Sequence, residues 1–292
     1  MQVSIWVNHE KDVGFRVTGQ LVDALEHYGA AVRMDEYCAG VLKRPELGVD
    51  RAGLIAGCDV VLVLGGDGTI LHAAREAAAA DIPVLGINMG RVGFLSEAEV
   101  DNVQEVARRI VQADYALEKR MMLQARVIGH PQAAEHIALN DVVLSRGAFS
   151  RIIGVQIYID GQYVDRYMSD GVVVSSPTGS TAYALSTGGP ILAPSLECIL
   201  LSPICAHTLY SRPIVVGADS KIELVLTAAD KDAQLALDGE TLLTVSNKLR
   251  IEITRAKSQA TFIRLKGRNF YQLLHSKFSE WSMAEELPEV KA

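Results

Sequence analysis

An aspartate lies among three glycines at residues 65–69, in the Gly-rich turn Gly-Gly-Asp-Gly-Thr, where an apolar strand pattern changes to a helical pattern. Glycines have no Cβ, so backbone N–H groups can approach a phosphate closely, and the N-terminus of the following helix adds a positive dipole. Asp67 could orient an attacking hydroxyl and accept its proton, with a magnesium ion beside it. A tight turn with a turn-forming aspartate explains these five residues equally well when they are taken alone.

The Gly-rich turn matches neither of the two common phosphate-binding motifs. The dinucleotide fingerprint G-x-G-x-x-G would begin at Gly66 and fail at Leu71, and G-x-x-x-x-G-K-[ST] occurs nowhere in the chain. The net charge of −7 provides no basic field for nucleic acid or an anionic membrane. Any anionic ligand must therefore be held by local donors.

A second stretch, the hydroxyl-rich segment at residues 169–191, carries many hydroxyl groups beside Asp170 and Tyr183. Its hydroxyl residues lie close together in the chain: Ser175, Ser176, Thr178, Ser180, Thr181, Ser186 and Thr187. Exposed hydroxyls, backbone amides and an aromatic ring suit a nucleoside. A helix cap in an ordinary loop would explain two or three of these hydroxyls, but not all seven.

The elements around the Gly-rich turn alternate between strand and helix. The runs QVSIWV, CDVVLVL and IPVLGIN predict strands, and helical patterns lie between and after them. Thr69 is the predicted N-cap of the helix that follows the turn. Alternating strands and helices indicate a parallel sheet, whose carboxyl edge is the usual place for a ligand.

After about Lys119 the pattern becomes rich in β-strands. Apolar runs such as GVQIYIDGQYVD, GVVVSS and SKIELVLT predict strands, and Asp-Gly pairs at 160–161 and 238–239 predict hairpin turns. The tail returns to a helical pattern, with Phe270, Leu274, Phe278 and Trp281 on one face. The predicted fold is therefore an N-terminal α/β domain with a parallel sheet, followed by a β-rich, sandwich-like domain.

Composition and cysteine usage are typical of a cytoplasmic protein. The 292 residues are 49% hydrophobic and 22% charged, and no apolar run approaches the roughly 20 residues that span a bilayer. The N-terminal stretch has no basic leader. None of the four cysteines forms a C-x-x-C pair, which argues against a zinc site or a disulfide framework. We expect a cytoplasmic protein without nucleic-acid or membrane partners.

Several segments together resemble the NAD kinase family. The matching stretches follow in order along nearly the whole chain: GGDGTIL (65–71), GINMGRVGFL (86–95), EKRMML (118–123), NDVVLSRG (140–147), YIDG (158–161) and SDGVVVSSPTGSTAYALSTGGPI (169–191). The Gly-rich turn is a weak signal by itself, because lipid kinases carry a similar one. The hydroxyl-rich segment is the specific signal.

This resemblance implies transfer of the γ-phosphate of ATP, or of inorganic polyphosphate in some members, to the 2′-hydroxyl of the adenosine ribose of NAD. It implies Mg²⁺ or another divalent metal, without indicating its ligands, and a homodimer or homotetramer. The implied domains are residues 1–118, completed by about 267–292, which bind the phosphate donor, and residues 119–266, which bind NAD.

The resemblance also implies roles for individual residues. Asp67 is the implied base, and the implied ATP and phosphate contacts are Gly65, Gly66, Gly68 and Thr69. The implied NAD contacts are Asp67, Gly68, Leu71, His72, Phe94, Asn140, Asp141, Arg151, Asp170, Thr178, Thr181, Ala182, Tyr183 and Ser186. For His72, a half-buried place on the helix is the commoner role, and Arg75 is either a surface cation or a phosphate contact.

Two alternatives remain open at the level of sequence. A lipid or small-alcohol kinase would share the Gly-rich turn, although Asn140, Asp141 and the hydroxyl-rich segment argue against it. A non-catalytic NAD-binding sensor is the other, although the intact Asp67 argues against it. Met168 stands where some relatives have a basic residue, which leaves the choice between NAD and NADH open. Glu240 stands where some relatives have glutamine.

Overall fold

The computed structural model describes residues 1–90, 93–129, 135–147, 152–208, 210–228, 233–245, 249–265 and 269–284. The chain divides into two compact units. The first unit comprises Met1–Ala73, Pro83–Glu118 and Phe262–Ala292. The second unit comprises Ala74–Ile82 and Lys119–Thr261.

The first unit alternates strands and helices, as its periodicity predicts. In chain order its elements are β1 Gln2–Val7, α1 Arg16–His27, β2 Ala31–Asp35, α2 Glu36–Val41, β3 Gly48–Val49, α3 Arg51–Ile55, β4 Val60–Gly65, α4 Asp67–Ala78, β5 Val84–Asn88, β6 Ser96–Glu99 and α5 Val103–Val111. The last residues of α4 group with the second unit.

Five strands of the first unit form a parallel sheet in the order β5-β4-β1-β2-β3, and β6 also pairs in parallel with β5. The chain moves outward from β1 to β2 and β3, then returns to add β4 on the other side of β1. The order therefore reverses between β1 and β4, and in open α/β sheets this reversal forms a crevice at the carboxyl ends of the strands. The Gly-rich turn leaves β4 at this edge.

Strand β4 is a continuous apolar run because it is covered on both faces, and all of its residues are buried. The helix after it begins at Asp67, two residues earlier than the sequence predicts. The predicted N-cap role of Thr69 is therefore wrong, because Thr69 lies inside the first turn of α4. Its hydroxyl instead accepts a hydrogen bond from Asn8 Nδ2 at 3.1 Å.

The second unit is built almost entirely of strands. After β7 Ala116–Ile128 come β8 Glu135–Ala138, β9 Asp141–Arg146, β10 Ile153–Ile159, β11 Gln162–Ser169, β12 Gly171–Ser175, the short helix α6 Tyr183–Ser186, β13 Cys198–Ile204, β14 Ile214–Gly217, β15 Ile222–Ala228, β16 Ala233–Leu237, β17 Glu240–Val245 and β18 Arg250–Arg264. The chain ends with α7 Phe270–Ala284, which belongs to the first unit.

Two antiparallel sheets share one hydrophobic core in this unit. One sheet has the order β14-β13-β12-β9-β16-β17, and the other pairs β11, β10, β15 and β18. Alternating residues of β12 separate its two faces: Val172 and Val174 enter the common core, whereas Val173 packs with Ala184 of α6 and Leu200 of β13. The hydroxyl-rich segment thus folds back over the outer face of the β12 sheet.

The two Asp-Gly pairs form the predicted hairpin turns. Asp160 and Gly161 have φ of 52° and 78°, and Asp238 and Gly239 have φ of 51° and 82°. Positive φ at both central residues is the signature of the type I′ turn that suits twisted strands. These turns join β10 to β11 and β16 to β17.

The C-terminal helix α7 departs from its predicted apolar face. Phe270 packs near Phe94, with 6.5 Å between ring centroids, but Phe278 is exposed while Lys277 is buried. Within the described ranges, no helix has the length and apolar character that crossing a membrane requires.

Candidate functional site

Backbone conformation does not explain the glycines of the Gly-rich turn, and other described residues closely approach only Gly65 and Gly66. None of Gly65, Gly66 and Gly68 has a positive φ. A Cβ on Gly65 would lie 2.7 Å from Thr69 Cβ, and a Cβ on Gly66 would lie 2.6 Å from Lys11 Nζ. No described atom lies within 4 Å of a Cβ placed on Gly68. The tight-turn explanation therefore fails for Gly68, where the missing side chain leaves open space at the N-terminus of α4.

The carboxylate of Asp67 is fixed by backbone donors. Phe94 N–H donates to Oδ2 at 2.7 Å, and Leu95 N–H donates to Oδ1 at 3.2 Å. A Cβ on Gly93 would lie 1.8 Å from Asp67 Oδ1, so residue 93 must be glycine for the carboxylate to occupy this position. Each oxygen keeps a second lone pair that can accept a proton or a hydrogen bond.

The loop after β1 is joined to the Gly-rich turn. Asn8 N–H donates to Leu64 O at 2.9 Å and extends the pairing between β1 and β4. Its side chain donates to Thr69 Oγ1, as described above, and its Oδ1 accepts from the N–H groups of Glu10 and Lys11 at 3.1 and 3.2 Å. Asn8 therefore connects the two segments beside the crevice, the loop after β1 and the Gly-rich turn after β4.

Of the remaining predicted residues of the first unit, Phe94 contacts the turn, whereas His72 packs against other residues. Leu71 and Phe94 are partly buried, and the backbone of Phe94 contacts Asp67 directly. His72 contacts the guanidinium of Arg51, and its ring lies edge-on to Trp6 with centroids 5.7 Å apart. These contacts favour the packing role for His72 over a ligand contact.

A cavity of about 400 Å³ opens in the second unit. It is lined by Asn140, Asp141, Val143, Ser145, Ala182, Tyr183, Ala236, Asp238 and Gly239. Four of these are predicted NAD contacts, and they come from β9, the loop before it, and the middle of the hydroxyl-rich segment. The structure therefore brings Asn140, Asp141, Ala182 and Tyr183 together, although about 40 residues separate the two pairs in the chain.

Two buried carboxyl groups lie at this cavity. Asp238 accepts hydrogen bonds from the backbone N–H groups of Leu139, Asn140 and Asp141 at 2.9, 2.7 and 3.2 Å. Burial raises the pKa of Asp238, while these three donors oppose the rise. Burial, and then the neighbouring Asp238, raise the pKa of Asp141 to about 7. Asp141 is the more readily protonated of the pair because backbone donors stabilise the charge of Asp238.

The hydroxyl-rich segment uses most of its hydroxyls in hydrogen bonds to other protein groups. Ser175 Oγ donates to Asn140 O at 3.2 Å, Ser180 Oγ donates to Pro177 O at 2.7 Å, and Thr187 Oγ1 donates to Ala184 O at 2.8 Å. Ser175, Ser176, Thr178 and Ser180 are buried. The prediction that these four hydroxyls are exposed to a nucleoside is wrong. Ser175 and Ser176, which donates to Leu139 O, hold the segment against the backbone before β9.

The other predicted contacts of this segment differ in exposure. Thr178 Oγ1 accepts a hydrogen bond from the buried Arg120 at 3.3 Å, and Thr181 Oγ1 donates to Thr178 O at 3.3 Å. Ser186 is exposed, and Tyr183 is 43% exposed, so its ring is accessible at the cavity. Burial raises the pKa of the Tyr183 hydroxyl, which is therefore a hydrogen-bond donor at neutral pH.

Asp170 lies where β11 passes to β12 and pairs with Arg146, whose Nε is 2.6 Å from Asp170 Oδ1. The same two residues are also joined through the backbone, because Arg146 N–H donates to Asp170 O at 2.8 Å. Arg151, also a predicted contact, lies outside the described residues. Arg75 pairs with Glu240 at 2.7 Å and lies 3.8 Å from Asp238, so it supports the carboxyl pair of the second unit rather than a phosphate at the turn.

Sequence reasoning missed half of the cavity in the second unit. Asp238 carried a signal, the Asp-Gly pair, but the pair was read only as a hairpin turn. Val143, Ser145 and Ala236 carried no chemical signal, because they are ordinary strand residues that reach the cavity through the pairing of β9 with β16. In the part of the chain that the structure describes, no three His, Cys, Asp or Glu side chains gather as a metal site.

Comparisons with known proteins agree on one family. Residues 17–115 match the model of the ATP-NAD kinase N-terminal domain, and residues 139–265 match that of the ATP-NAD kinase C-terminal domain. An NAD kinase of Moorella thermoacetica is 40% identical over 279 residues, covering 96% of this chain and 89% of that protein. An NAD kinase of Carboxydothermus hydrogenoformans is 46% identical over 223 residues, covering 76% and 80%.

Two solved structures are similar to this chain. A yeast NADH kinase complexed with NADH has a TM-score of 0.86 at 22% identity, covering 100% of this chain and 90% of that one. An NAD kinase from Archaeoglobus fulgidus in complex with ATP has a TM-score of 0.72 at 26% identity, covering 96% and 99%. At its lower identity, the yeast structure supports the fold alone.

Proposed function

The chain belongs to the NAD kinase family, and we propose that it transfers the γ-phosphate of ATP to the 2′-hydroxyl of the adenosine ribose of NAD, forming NADP. The single observation that carries this reaction is the fixed carboxylate of Asp67, which lies beside the open space at Gly68. The carboxylate can accept the proton of the 2′-hydroxyl as this oxygen bonds to the γ-phosphorus and ADP leaves, while the open helix N-terminus binds phosphate oxygens of the donor.

The proposed chemistry depends on positioning more than on covalent steps by the protein. Phosphoryl transfer needs an aligned hydroxyl and neutralised phosphate charge. Hydrogen bonds from Phe94 and Leu95 hold Asp67 in one orientation, so it needs no reorganisation when the hydroxyl arrives. The first-turn amides of α4 have no intrahelical acceptor and are suited to phosphate oxygens.

We assign the dinucleotide to the cavity of the second unit. Asn140 and Asp141 supply an amide and a carboxyl group for ribose and base atoms, and Tyr183 supplies an accessible ring for stacking. Few polar groups among apolar walls are typical of small-molecule sites. The backbone N–H groups of Asn140 and Asp141 donate to Asp238 Oδ1, which ties these cavity residues together.

A divalent metal fits this site if the donor nucleotide carries it. Mg²⁺ is commonly held by substrate phosphates with one or two carboxylates, so the single carboxylate of Asp67 beside the turn is compatible with it. When bound, the ion neutralises charge on the donor phosphates. We further propose a cytoplasmic homodimer or homotetramer.

The reaction is tested by supplying the purified protein with NAD, ATP and MgCl₂ and detecting NADP through an NADP-specific dehydrogenase. We expect NADP to form with MgCl₂ and not to form when excess EDTA is present. Parallel assays with polyphosphate in place of ATP, and with NADH in place of NAD, determine which phosphoryl donor and which acceptor the protein uses. NAD binding without any NADP from either donor would instead support the sensor alternative.

A further inference from the structure

We propose that Lys11, in the loop after β1, binds the phosphates of the donor nucleotide at the Gly-rich turn, an inference that rests on the proposed phosphoryl transfer. Lys11 did not stand out in the sequence, because a lone lysine follows no phosphate-binding motif there. Its position in the fold is what assigns it: it lies at the strand reversal between β1 and β4.

The ammonium group of Lys11 lies against the backbone of the turn. A Cβ on Gly66 would be 2.6 Å from Nζ, which is closer than real side chains approach one another. The ammonium therefore lies close to the backbone of Gly66, within the turn where the donor phosphates would bind. The same turn leaves the space at Gly68 open, so a phosphate at the N-terminus of α4 would meet the ammonium, the open amides and the helix dipole together.

The loop that carries Lys11 is held in place by the turn itself. Lys11 N–H donates to the backbone oxygen of Asn8 at 3.1 Å and to Asn8 Oδ1 at 3.2 Å. The same asparagine reaches Thr69 Oγ1 through Nδ2 at 3.1 Å. A surface lysine with only a solubility role needs no such anchoring of its backbone to a ligand-binding turn.

The side chain of Lys11 has no competing partner within the described part of the chain, where no hydrogen bond or ion pair reaches Nζ. Two other cations near the turn are engaged elsewhere. Arg51 stacks on Trp6, with its guanidinium carbon 4.3 Å from the ring centroid, and Arg75 pairs with Glu240. An ATP triphosphate brings several negative charges to a protein of net charge −7, so a local cation is required.

Lysine acts at such a place as a point charge. It does not need the planar geometry of a bidentate pair, and its flexible stem can follow the phosphate as charge moves from the nucleophile to the leaving group. Lys11 would thus lower the energy of donor binding and of the transition state without contacting NAD.

The test compares Lys11→Met with Lys11→Arg and with Lys257→Met, an exposed lysine on β18 of the second unit that serves as the matched control. We expect Lys11→Met to lower kcat/KM for ATP by roughly 10²-fold, the scale for loss of one charged group that stabilises a transition state. The KM for NAD should stay within about twofold, Lys11→Arg should recover part of the loss, and Lys257→Met should match the parent. An unchanged kcat/KM for ATP in Lys11→Met would overturn the proposal.

Binding of Mg-ATP by calorimetry separates this proposal from the proposed function. If the parent makes no NADP but binds Mg-ATP, and Lys11→Met weakens that binding at least tenfold, the assignment of Lys11 stands while the reaction fails. If the parent binds no Mg-ATP, or if both proteins bind it equally, the assignment is wrong. Equal thermal unfolding midpoints of the three variants and the parent without ligand establish that the fold is intact.

Discussion

At the scale of single residues, the site depends on how two carboxyl groups are held. Asp67 is fixed by backbone N–H groups in the first unit, whereas Asp141 is buried beside a second carboxyl in the second unit. The first arrangement keeps a partly exposed carboxylate in one orientation. The other retains a proton near neutral pH, so Asp141 can donate a hydrogen bond as well as accept one.

Gly93→Ala should remove activity by moving Asp67. The new methyl would lie 1.8 Å from Asp67 Oδ1, so the carboxylate must leave its two backbone donors. We expect kcat to fall about 10²-fold, the usual contribution of a positioned base, with NAD affinity nearly unchanged. The matched control is Gly90→Ala on the same loop, where no described atom lies within 4 Å of the added carbon. Equal kcat values for the two variants would show that the orientation of Asp67 is unimportant.

Asp141 should make stability fall as the pH rises towards neutrality. Its folded-state pKa, about 7, lies above the ordinary value of 3.8, so the native state keeps a proton that the unfolded chain has released. This stabilisation is complete below about pH 4 and is lost as the pH rises through 7. Between pH 5 and 8 the free energy of unfolding of the parent should fall by about 2–3 kcal/mol more than that of Asp141→Asn. The free energy of unfolding is measured by urea denaturation at each pH. An equal change between pH 5 and 8 in the parent and in Asp141→Asn would contradict this prediction.

At the scale of elements, the periodicities and turn signals predicted most of the architecture, and the exceptions have physical causes. Strand β13 was missed because Pro203 lies within it, opposite Val172, and proline normally argues against an internal strand position. The start of α4 was misplaced because Thr69 resembles an N-cap, whereas its hydroxyl serves the loop after β1. The hydroxyl-rich segment was predicted to expose its hydroxyls to a nucleoside, whereas Ser175, Ser176 and Ser180 are buried and donate to backbone oxygens.

The cavity of the second unit could not be assembled from local patterns. Asp238 lies almost 100 residues after Asn140, and their contact depends on β16 pairing with β9. Family motifs can indicate which distant residues share a site, and the resemblance did so for Asn140, Asp141 and Tyr183. It did not indicate Lys11 or Asp238, whose roles follow from contacts between distant segments.

Gly179→Ala should weaken NAD binding through the hydroxyl-rich segment. A Cβ there would lie 2.2 Å from Asn140 O, so the segment must move away from the residues that line the cavity. Overpacking of this kind costs about 1–3 kcal/mol of stability, and we expect the Kd for NAD to rise at least tenfold while Mg-ATP binding stays intact. Gly217→Ala on β14, with open space around its added carbon among the described atoms, is the control. NAD affinity equal to that of the control would contradict the proposed role of the segment.

At the scale of the whole molecule, each unit carries one part of the proposed reaction. The first unit provides the Gly-rich turn, Asp67 and Lys11 at the reversal of a parallel sheet, and the second provides a cavity on an antiparallel sheet. The net charge of −7 attracts neither substrate, so recognition has to be local. Variants in one unit should therefore alter the constants of one substrate more than those of the other.

The measurement that tests the central claim most directly is NADP formation by the parent protein and by Asp67→Asn, with NAD, ATP and MgCl₂. We predict NADP from the parent and a rate lower by about 10²-fold or more in the variant, because an amide cannot accept the proton of the 2′-hydroxyl. Calorimetry should show that the variant still binds NAD. A variant with nearly the parent rate would remove Asp67 from the mechanism, and a parent that forms no NADP from ATP or polyphosphate would contradict the proposed function.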